Sequence, residues 1–121
     1  MPGRILLIDD EYEIRDFMKD FFEERGYRVE VAGDGLEGVE KFSQGGDYDL
    51  VLCDMMMPKL LGVDVLKKIK ETRPAQKVIM ITGVREASMV QKAKDLGCLH
   101  YLNKPFSLND IAERVAECLA G

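Results

Sequence analysis

Aliphatic runs that alternate with segments of helical periodicity constrain the fold of this chain more than any other feature. The runs span residues 5–8, 50–53, 78–81 and, more weakly, 99–102, and they are continuous rather than alternating with polar residues. Such runs are typical of strands that are covered on both faces. A fifth segment, residues 27–31, does alternate, which predicts an edge strand.

The segments between the runs are predicted to be helices, because apolar residues recur there three and four positions apart. The stripe is clearest in one segment and is repeated in the last, with a shorter stripe between them: Ile14, Phe17, Met18, Phe21 and Phe22; then Leu108, Ile111, Ala112, Val115, Cys118 and Leu119; and Leu36, Val39 and Phe42. We expect these stripes to pack in the core. Three helix starts carry pairs that are typical of caps, namely Asp10 with Glu13, Asp34 with Glu37, and Ser107 with Asp110. The five β-α units predict an α/β fold, a doubly wound parallel sheet of five strands with helices on both faces.

Composition and charge narrow the class of protein. The chain has 121 residues, of which 46% are hydrophobic, so we expect one domain, 1–121, with an ordinary core. Its 17 basic and 22 acidic residues give a net charge of −5, which argues against direct binding to nucleic acid or to an anionic membrane. Three scattered cysteines and the lack of a long apolar run predict a cytoplasmic location.

Functional residues are expected at the strand ends, because ligands of open parallel sheets bind beyond the carboxyl ends of the strands. Five polar residues follow the predicted strands there: Asp9, Asp10, Asp54, Thr82 and Lys104. Carboxylates this close repel each other unless a cation is present, and oxygen ligands suit Mg²⁺, with Mn²⁺ as a substitute. Such an ion would bind a phosphoryl oxygen, and Asp54 would serve as the nucleophile that becomes an aspartyl phosphate.

At these positions the chain resembles the receiver domain of two-component response regulators, in particular single-domain chemotaxis regulators, over essentially its whole length. The resemblance rests on four segments in order, which are Leu-Ile-Asp-Asp-Glu at 7–11, Asp-Met-Met-Met-Pro-Lys-Leu-Leu-Gly at 54–62, Ile-Thr at 81–82 and Tyr-Leu-Asn-Lys-Pro-Phe at 101–106. It implies the flavodoxin-like strand order 2-1-3-4-5. It also implies phosphoryl transfer from a phosphohistidine of a sensor histidine kinase or phosphotransfer protein, followed by action on a downstream protein target.

The resemblance implies roles for the acidic residues. Asp54 matches the phospho-acceptor, and Asp9 and Asp10 match the acidic pair that holds Mg²⁺. Asp54 itself and the backbone carbonyl of Met56 would complete the protein ligands.

The resemblance also identifies the residues of the switch. Lys104 matches the lysine that pairs with the phosphoryl group, Thr82 the hydroxyl that moves toward it, and Tyr101 the aromatic residue that turns inward. The bond between Lys104 and Pro105 is expected to be cis. The surface of the fourth helix, fifth strand and fifth helix would then change its partners.

The first helix and the loop after the fifth strand dock the kinase in this family. The residues that we expect to contact a partner are therefore Ile14, Arg15, Pro105 and Phe106. Leu61 stands where many relatives have a polar residue, and it either tucks under its loop or offers an apolar contact.

Two apolar residues, Met56 and Val84, lie two positions after Asp54 and Thr82 respectively. Neither side chain is able to orient an attacking water, so we predict slow loss of phosphate from Asp54.

Three other interpretations compete with a signalling switch. A flavodoxin-like carrier needs a phosphate loop rich in Ser, Thr and Gly where this chain has Asp9-Asp10-Glu11. A metal-dependent phosphohydrolase of the haloacid dehalogenase type needs a second Asp at the position of Met56. A degenerate receiver would be a constitutive binding module. We expect a switch rather than an enzyme, either a single-domain regulator or an excised domain, since no output segment follows Gly121.

Overall fold

Strands and helices alternate along the chain, as the aliphatic runs predict. The structure is a computed structural model that describes residues 3–57, 59–83, 87–98 and 100–120. Its strands are β1 (Arg4–Ile8), β2 (Arg28–Ala32), β3 (Leu50–Asp54), β4 (Val78–Thr82) and β5 (His100–Asn103). Its helices are α1 (Tyr12–Glu24), α2 (Gly35–Gly45), α3 (Gly62–Thr72), α4 (Ala87–Asp95) and α5 (Leu108–Ala120).

The five strands form one parallel sheet in the order β2-β1-β3-β4-β5. This confirms the predicted doubly wound fold and its flavodoxin-like strand order. The order reverses between β1 and β3, which are paired with Ile8 opposite Cys53. The predicted edge strand is also confirmed, since β2 lies at one edge with Arg28 exposed and Val29 buried.

Two apolar cores cover the two faces of the sheet, because adjacent strand residues point to opposite sides. In β1, Leu6 and Ile8 pack with residues of α2, α3 and α4, whereas Ile5 and Leu7 pack with residues of α1 and α5. Each large side chain that is fully buried in this way contributes about 1.5–3 kcal/mol. The sheet is therefore packed between two layers of helices, which together position its carboxyl edge.

Two residues that we expected in the core are exposed. Phe17 of α1 is 61% exposed and Leu36 of α2 is 53% exposed, whereas Met18 and Phe22 on α1 are buried. Helical spacing defines the direction of an apolar face but not its width: Ile14 and Phe21 are partly buried against the core, whereas Phe17 lies outside it. Leu36 lies in the first turn of α2, beside its N-cap Asp34.

Two of the three predicted capping pairs are formed. The Glu37 N–H donates to Asp34 Oδ1 at 2.8 Å, and the Asp110 N–H donates to Ser107 Oγ at 3.1 Å. The prediction that Asp10 caps α1 is wrong.

The N-cap of α1 is Glu11, which makes no side-chain cap hydrogen bond. The free Glu11 N–H donates instead to Asp9 Oδ1 at 2.8 Å. This turn takes the place of a side-chain cap, and its hydrogen bond holds the Asp9 carboxylate at the start of α1.

Cys53, Cys98 and Cys118 are all free and buried. None of the helices in the described ranges is long and apolar enough to cross a membrane.

Candidate functional site

The carboxyl ends of β1, β3, β4 and β5 bring the candidate residues to one edge of the sheet. Backbone hydrogen bonds continue the sheet past the strand ends, from Asp9 N–H to the Ala32 carbonyl at 3.1 Å and from Lys104 N–H to the Thr82 carbonyl at 2.8 Å. Asp9 and Lys104 are therefore placed by the main chain of the sheet rather than by free loops.

Three carboxylates form a cluster at this edge. One oxygen from each of Asp9, Glu11 and Asp54 lies within 4.8 Å of the others. Asp9 is fully buried and Asp54 is 3% exposed, whereas Glu11 is exposed. Asp10 is exposed and lies outside this cluster, so its role as a metal ligand stays a prediction.

Sequence reasoning did not include Glu11 in the site. Its position directly after the Asp pair is the only sequence signal, and it does not show which way the side chain turns. The hydrogen bond from the Glu11 N–H to Asp9 Oδ1 folds the chain back so that the Glu11 carboxylate joins the cluster.

Lys104 bridges two of these acids. Its Nζ lies 3.2 Å from Asp54 Oδ2 and 3.2 Å from Glu11 Oε1. Burial alone would lower the pKa of Lys104, but the charge and hydrogen bond of Asp54 outweigh it and raise that pKa. The ammonium is therefore firmly protonated, and it lies against the carboxylate that we expect to react.

Burial makes the charged form of the Asp9 and Asp54 carboxylates unfavourable. Burial raises the pKa of Asp9 from 3.8 to about 6, with the Asp54 charge adding to the rise and the Glu11 N–H opposing it. Burial likewise raises the pKa of Asp54, against the opposing effect of Lys104. Within the described residues, Asp9 Oδ2 is buried and has no hydrogen-bond partner. A hard cation would relieve both costs, so this set of oxygen donors fits Mg²⁺.

The loop after β3 shapes the surroundings of Asp54. The Met56 N–H donates to Asp54 Oδ1 at 3.3 Å. At Gly62 an added Cβ would lie 2.4 Å from the Asp54 carbonyl oxygen and 2.7 Å from Met55 Cα. Only glycine allows this close return of the loop, which leaves the Met56 side chain 47% exposed at the mouth of the site. The Met56 carbonyl stays a predicted metal ligand.

The predicted switch residues lie on β4 and β5. Thr82 is buried at the end of β4, and its hydroxyl donates to the Gly83 carbonyl at 3.2 Å. Tyr101 is half-buried, and its hydroxyl donates to the Cys98 carbonyl. The Lys104–Pro105 bond is cis, as predicted. Val84 lies outside the described residues.

The predicted partner contacts fall in different places. Ile14, Pro105 and Phe106 line one apolar groove of about 770 Å³ beside Lys104, together with the exposed Phe17. Arg15 does not line this groove.

Leu61 and Arg15 are both partly buried. Leu61 is half-buried and packs against the core on the α3 side of the sheet, which supports the interpretation that it tucks under its loop. The Arg15 side chain is 18% exposed. Their roles as partner contacts stay predictions.

The fold and the site together define a class of protein, the flavodoxin-like receiver fold with an acidic pocket at the point where the strand order reverses. The sequence model of the response regulator receiver domain matches residues 5–116. This chain belongs to the response regulator receiver domain family.

Named relatives support the same class. The chain is 34% identical over 119 residues to sporulation initiation phosphotransferase F of Bacillus subtilis, covering 98% of this chain and 95% of that protein. It is 35% identical over 120 residues to the chemotaxis protein CheY of Treponema pallidum, covering 98% of this chain and 83% of that protein. Some other relatives, named transcriptional regulatory proteins, are about twice as long as the matched region.

Solved structures agree with the sequence relatives. The crystal structure of a CheY-like response regulator receiver domain protein from Methanospirillum hungatei superposes with a TM-score of 0.93. It is 32% identical, and the superposition covers 99% of this chain and 95% of that one. Both the fold and the family are therefore shown.

Proposed function

We propose that this receiver domain accepts a phosphoryl group on Asp54, in the presence of Mg²⁺, from a phosphohistidine of a sensor histidine kinase or phosphotransfer protein. The observation that carries the proposal is the placement of the Asp54 carboxylate. It is buried beside Asp9 and lies 3.2 Å from the Lys104 ammonium. A relative named a phosphotransferase supports phosphoryl transfer, and another named a chemotaxis protein supports a role in signalling.

The transfer step follows from this arrangement. An Asp54 carboxylate oxygen bonds to phosphorus as the bond from phosphorus to the donor imidazole breaks, and the imidazole nitrogen keeps the electron pair. Lys104 neutralises charge on the phosphoryl oxygens. Asp9, Asp54 and Glu11 are the side chains that would hold Mg²⁺, with Asp10 and the Met56 carbonyl as further predicted ligands. When bound, the ion supplies additional neutralisation of phosphoryl charge.

The proposed output is a change of protein partners. Thr82 would move to the phosphoryl group, and Tyr101 would turn inward into the space that opens. The turn would break the hydrogen bond between the Tyr101 hydroxyl and the Cys98 carbonyl. A downstream protein target would then bind to the surface of α4, β5 and α5. We propose no direct contact with nucleic acid or membrane, and a cytoplasmic location in keeping with the three free cysteines.

Two alternatives are disfavoured by specific residues. A phosphohydrolase of the haloacid dehalogenase type would need an acid where the exposed thioether of Met56 lies. A degenerate receiver would lack part of the site, whereas Asp54, Lys104 and Asp9 are all in place here.

Intact-mass analysis after incubation with MgCl₂ and acetyl phosphate tests the proposal. Wild type should gain one phosphoryl group, Asp54→Asn none, and wild type in EDTA little or none. Asp64→Asn is a matched control, because Asp64 is an exposed aspartate on α3, and it should be labelled like wild type. Equal labelling of wild type and Asp54→Asn would contradict the role of Asp54, and failure of wild type to gain phosphate would contradict the function.

A further inference from the structure

Arg15 does not line the apolar groove of Ile14, Pro105 and Phe106; it contacts the main chain beside the acidic cluster. Its side chain is 18% exposed, and among the described residues its buried Nε has no hydrogen-bond partner. Asp16 Oδ1 lies 4.0 Å from Nε, which is too far for a hydrogen bond. Burying a guanidinium to this extent costs free energy unless its N–H groups find hydrogen-bond partners in the protein.

The guanidinium of Arg15 holds the main chain of the acidic loop, which we define as residues 9–11. Arg15 Nη1 donates to the Asp9 carbonyl at 3.3 Å, and the Asp9 N–H donates to the Ala32 carbonyl at 3.1 Å. The Asp9 main chain is therefore tied on one side to the end of β2 and on the other to Arg15. The backbone of Asp9 is fixed while its buried Oδ2 is left without a hydrogen-bond partner.

The loop between β2 and α2 leaves room for this guanidinium. A Cβ added at Gly33 would lie 2.9 Å from Arg15 Nη1, so the absence of a side chain at position 33 is what lets Arg15 reach the Asp9 carbonyl. The φ of Gly33 does not lie in the left-handed region, and alanine therefore suits this backbone. Gly33 and Arg15 form one unit, in which the first makes space for the second.

We propose that Arg15 is a positioning residue that fixes the acidic loop in the geometry that binds Mg²⁺, and that Gly33 acts through it. The proposal rests on the proposed magnesium site. It predicts that loss of Arg15 lowers the affinity for Mg²⁺, which is the opposite of what electrostatics alone predicts. Removing a positive charge near a cation site would by itself tighten the binding of Mg²⁺, whereas loss of positioning weakens it.

Four variants separate these effects. Arg15→Met keeps the apolar stem and removes the guanidinium, and Gly33→Ala displaces the guanidinium without changing any charge. The third variant combines both substitutions. Arg25→Met is the control at the C-cap of the same helix, because Arg25 stacks on Phe21 with its Cζ 4.0 Å from the ring centroid and is remote from the loop in sequence.

Titration with MgCl₂ at constant ionic strength, followed by two-dimensional NMR, reads the affinity directly. We expect Arg15→Met to weaken Mg²⁺ binding by about tenfold, as is usual for residues that orient metal ligands, and Gly33→Ala to weaken it by a smaller factor. The double variant should bind like Arg15→Met alone, because Gly33 acts only through Arg15. Arg25→Met should bind like wild type.

Each contrary result would overturn the proposal. The proposal is contradicted if Arg15→Met binds Mg²⁺ as tightly as wild type or more tightly. It is also contradicted if Arg15→Met has a lower melting temperature but unchanged Mg²⁺ affinity, because that result indicates a merely structural role. A full additional loss from Gly33→Ala in the Arg15→Met background would also overturn it. Phosphate transfer to wild-type Asp54 is measured separately, so failure of this proposal and failure of the proposed function are distinguishable.

Discussion

Replacement of Asp9 by asparagine is expected to stabilise the metal-free protein at neutral pH. Burial is the main reason that the pKa of Asp9 rises from 3.8 to about 6. A carboxyl group with a raised pKa in the folded state binds its proton more tightly there than in the unfolded chain, so stability falls as pH rises from about 4 to about 6 and stays lower above that range.

The size of this effect follows from the two pKa values. The difference between 3.8 and about 6 corresponds to a ceiling of about 3 kcal/mol. The asparagine amide also costs free energy to bury, so we expect Asp9→Asn to raise the free energy of unfolding by about 1–2 kcal/mol at pH 7.5. The asparagine Oδ1 is still able to accept the Glu11 N–H, which Asp9 Oδ1 accepts at 2.8 Å.

Urea unfolding followed by circular dichroism in EDTA is the assay. Asp9→Asn should be more stable than wild type at pH 7.5 and close to wild type at pH 4, whereas the control Asp20→Asn, at an exposed position in the middle of α1, should match wild type at both. Saturating MgCl₂ should reverse the order, since at one hundred times the dissociation constant a ligand adds about 2.7 kcal/mol to the protein that binds it. Equal or lower stability of Asp9→Asn at pH 7.5 in EDTA would refute the reasoning.

Three further substitutions test single features of the site. Glu11→Gln should weaken Mg²⁺ binding by about fivefold in a calorimetric titration, because one charge near the cation is lost; unchanged affinity would place Glu11 outside the metal site. Met56→Asn should shorten the lifetime of phosphate on Asp54 by about tenfold, a smaller rate effect than that of a well-placed general base. An unchanged lifetime in intact-mass time courses would contradict the argument that Met56 cannot orient an attacking water. Lys59 has a φ of 71°, and Lys59→Gly should raise the free energy of unfolding by about 0.5 kcal/mol. Relief of the left-handed backbone strain should outweigh the loss of a weak, exposed ion pair made by Lys59. A lower free energy of unfolding in urea would contradict this.

Features that depend on local patterns were predictable from the sequence. Continuous aliphatic runs and the capping pair of Asp34 with Glu37 depend on neighbours in the chain, and the structure places them as predicted. The convergence of Asp9, Asp54 and Lys104 was also predictable, because parallel strands carry their carboxyl ends to the same edge. The distance of 3.2 Å from Lys104 to Asp54 is a consequence of that topology.

Features that depend on the direction of a loop were not predictable in this way. Glu11 enters the acidic cluster through one hydrogen bond to Asp9, which no periodicity reveals. Phe17 belongs to an apolar stripe but lies beside a groove, 61% exposed, because a helical pattern does not distinguish a core from a surface groove. Arg15 was predicted to contact a partner, and its hydrogen bond to the Asp9 carbonyl in the space above Gly33 depends on loop geometry that no sequence pattern reveals.

The most direct test of the account is to locate the phosphate chemically. After transfer from a phosphorylated histidine kinase or phosphotransfer protein, borohydride reduction converts an aspartyl phosphate to homoserine, and peptide mass spectrometry identifies the position. The account predicts homoserine at position 54 alone, with Mg²⁺ required. Homoserine at position 9 or 10 instead, or labelling at 54 that persists undiminished in EDTA, would contradict it.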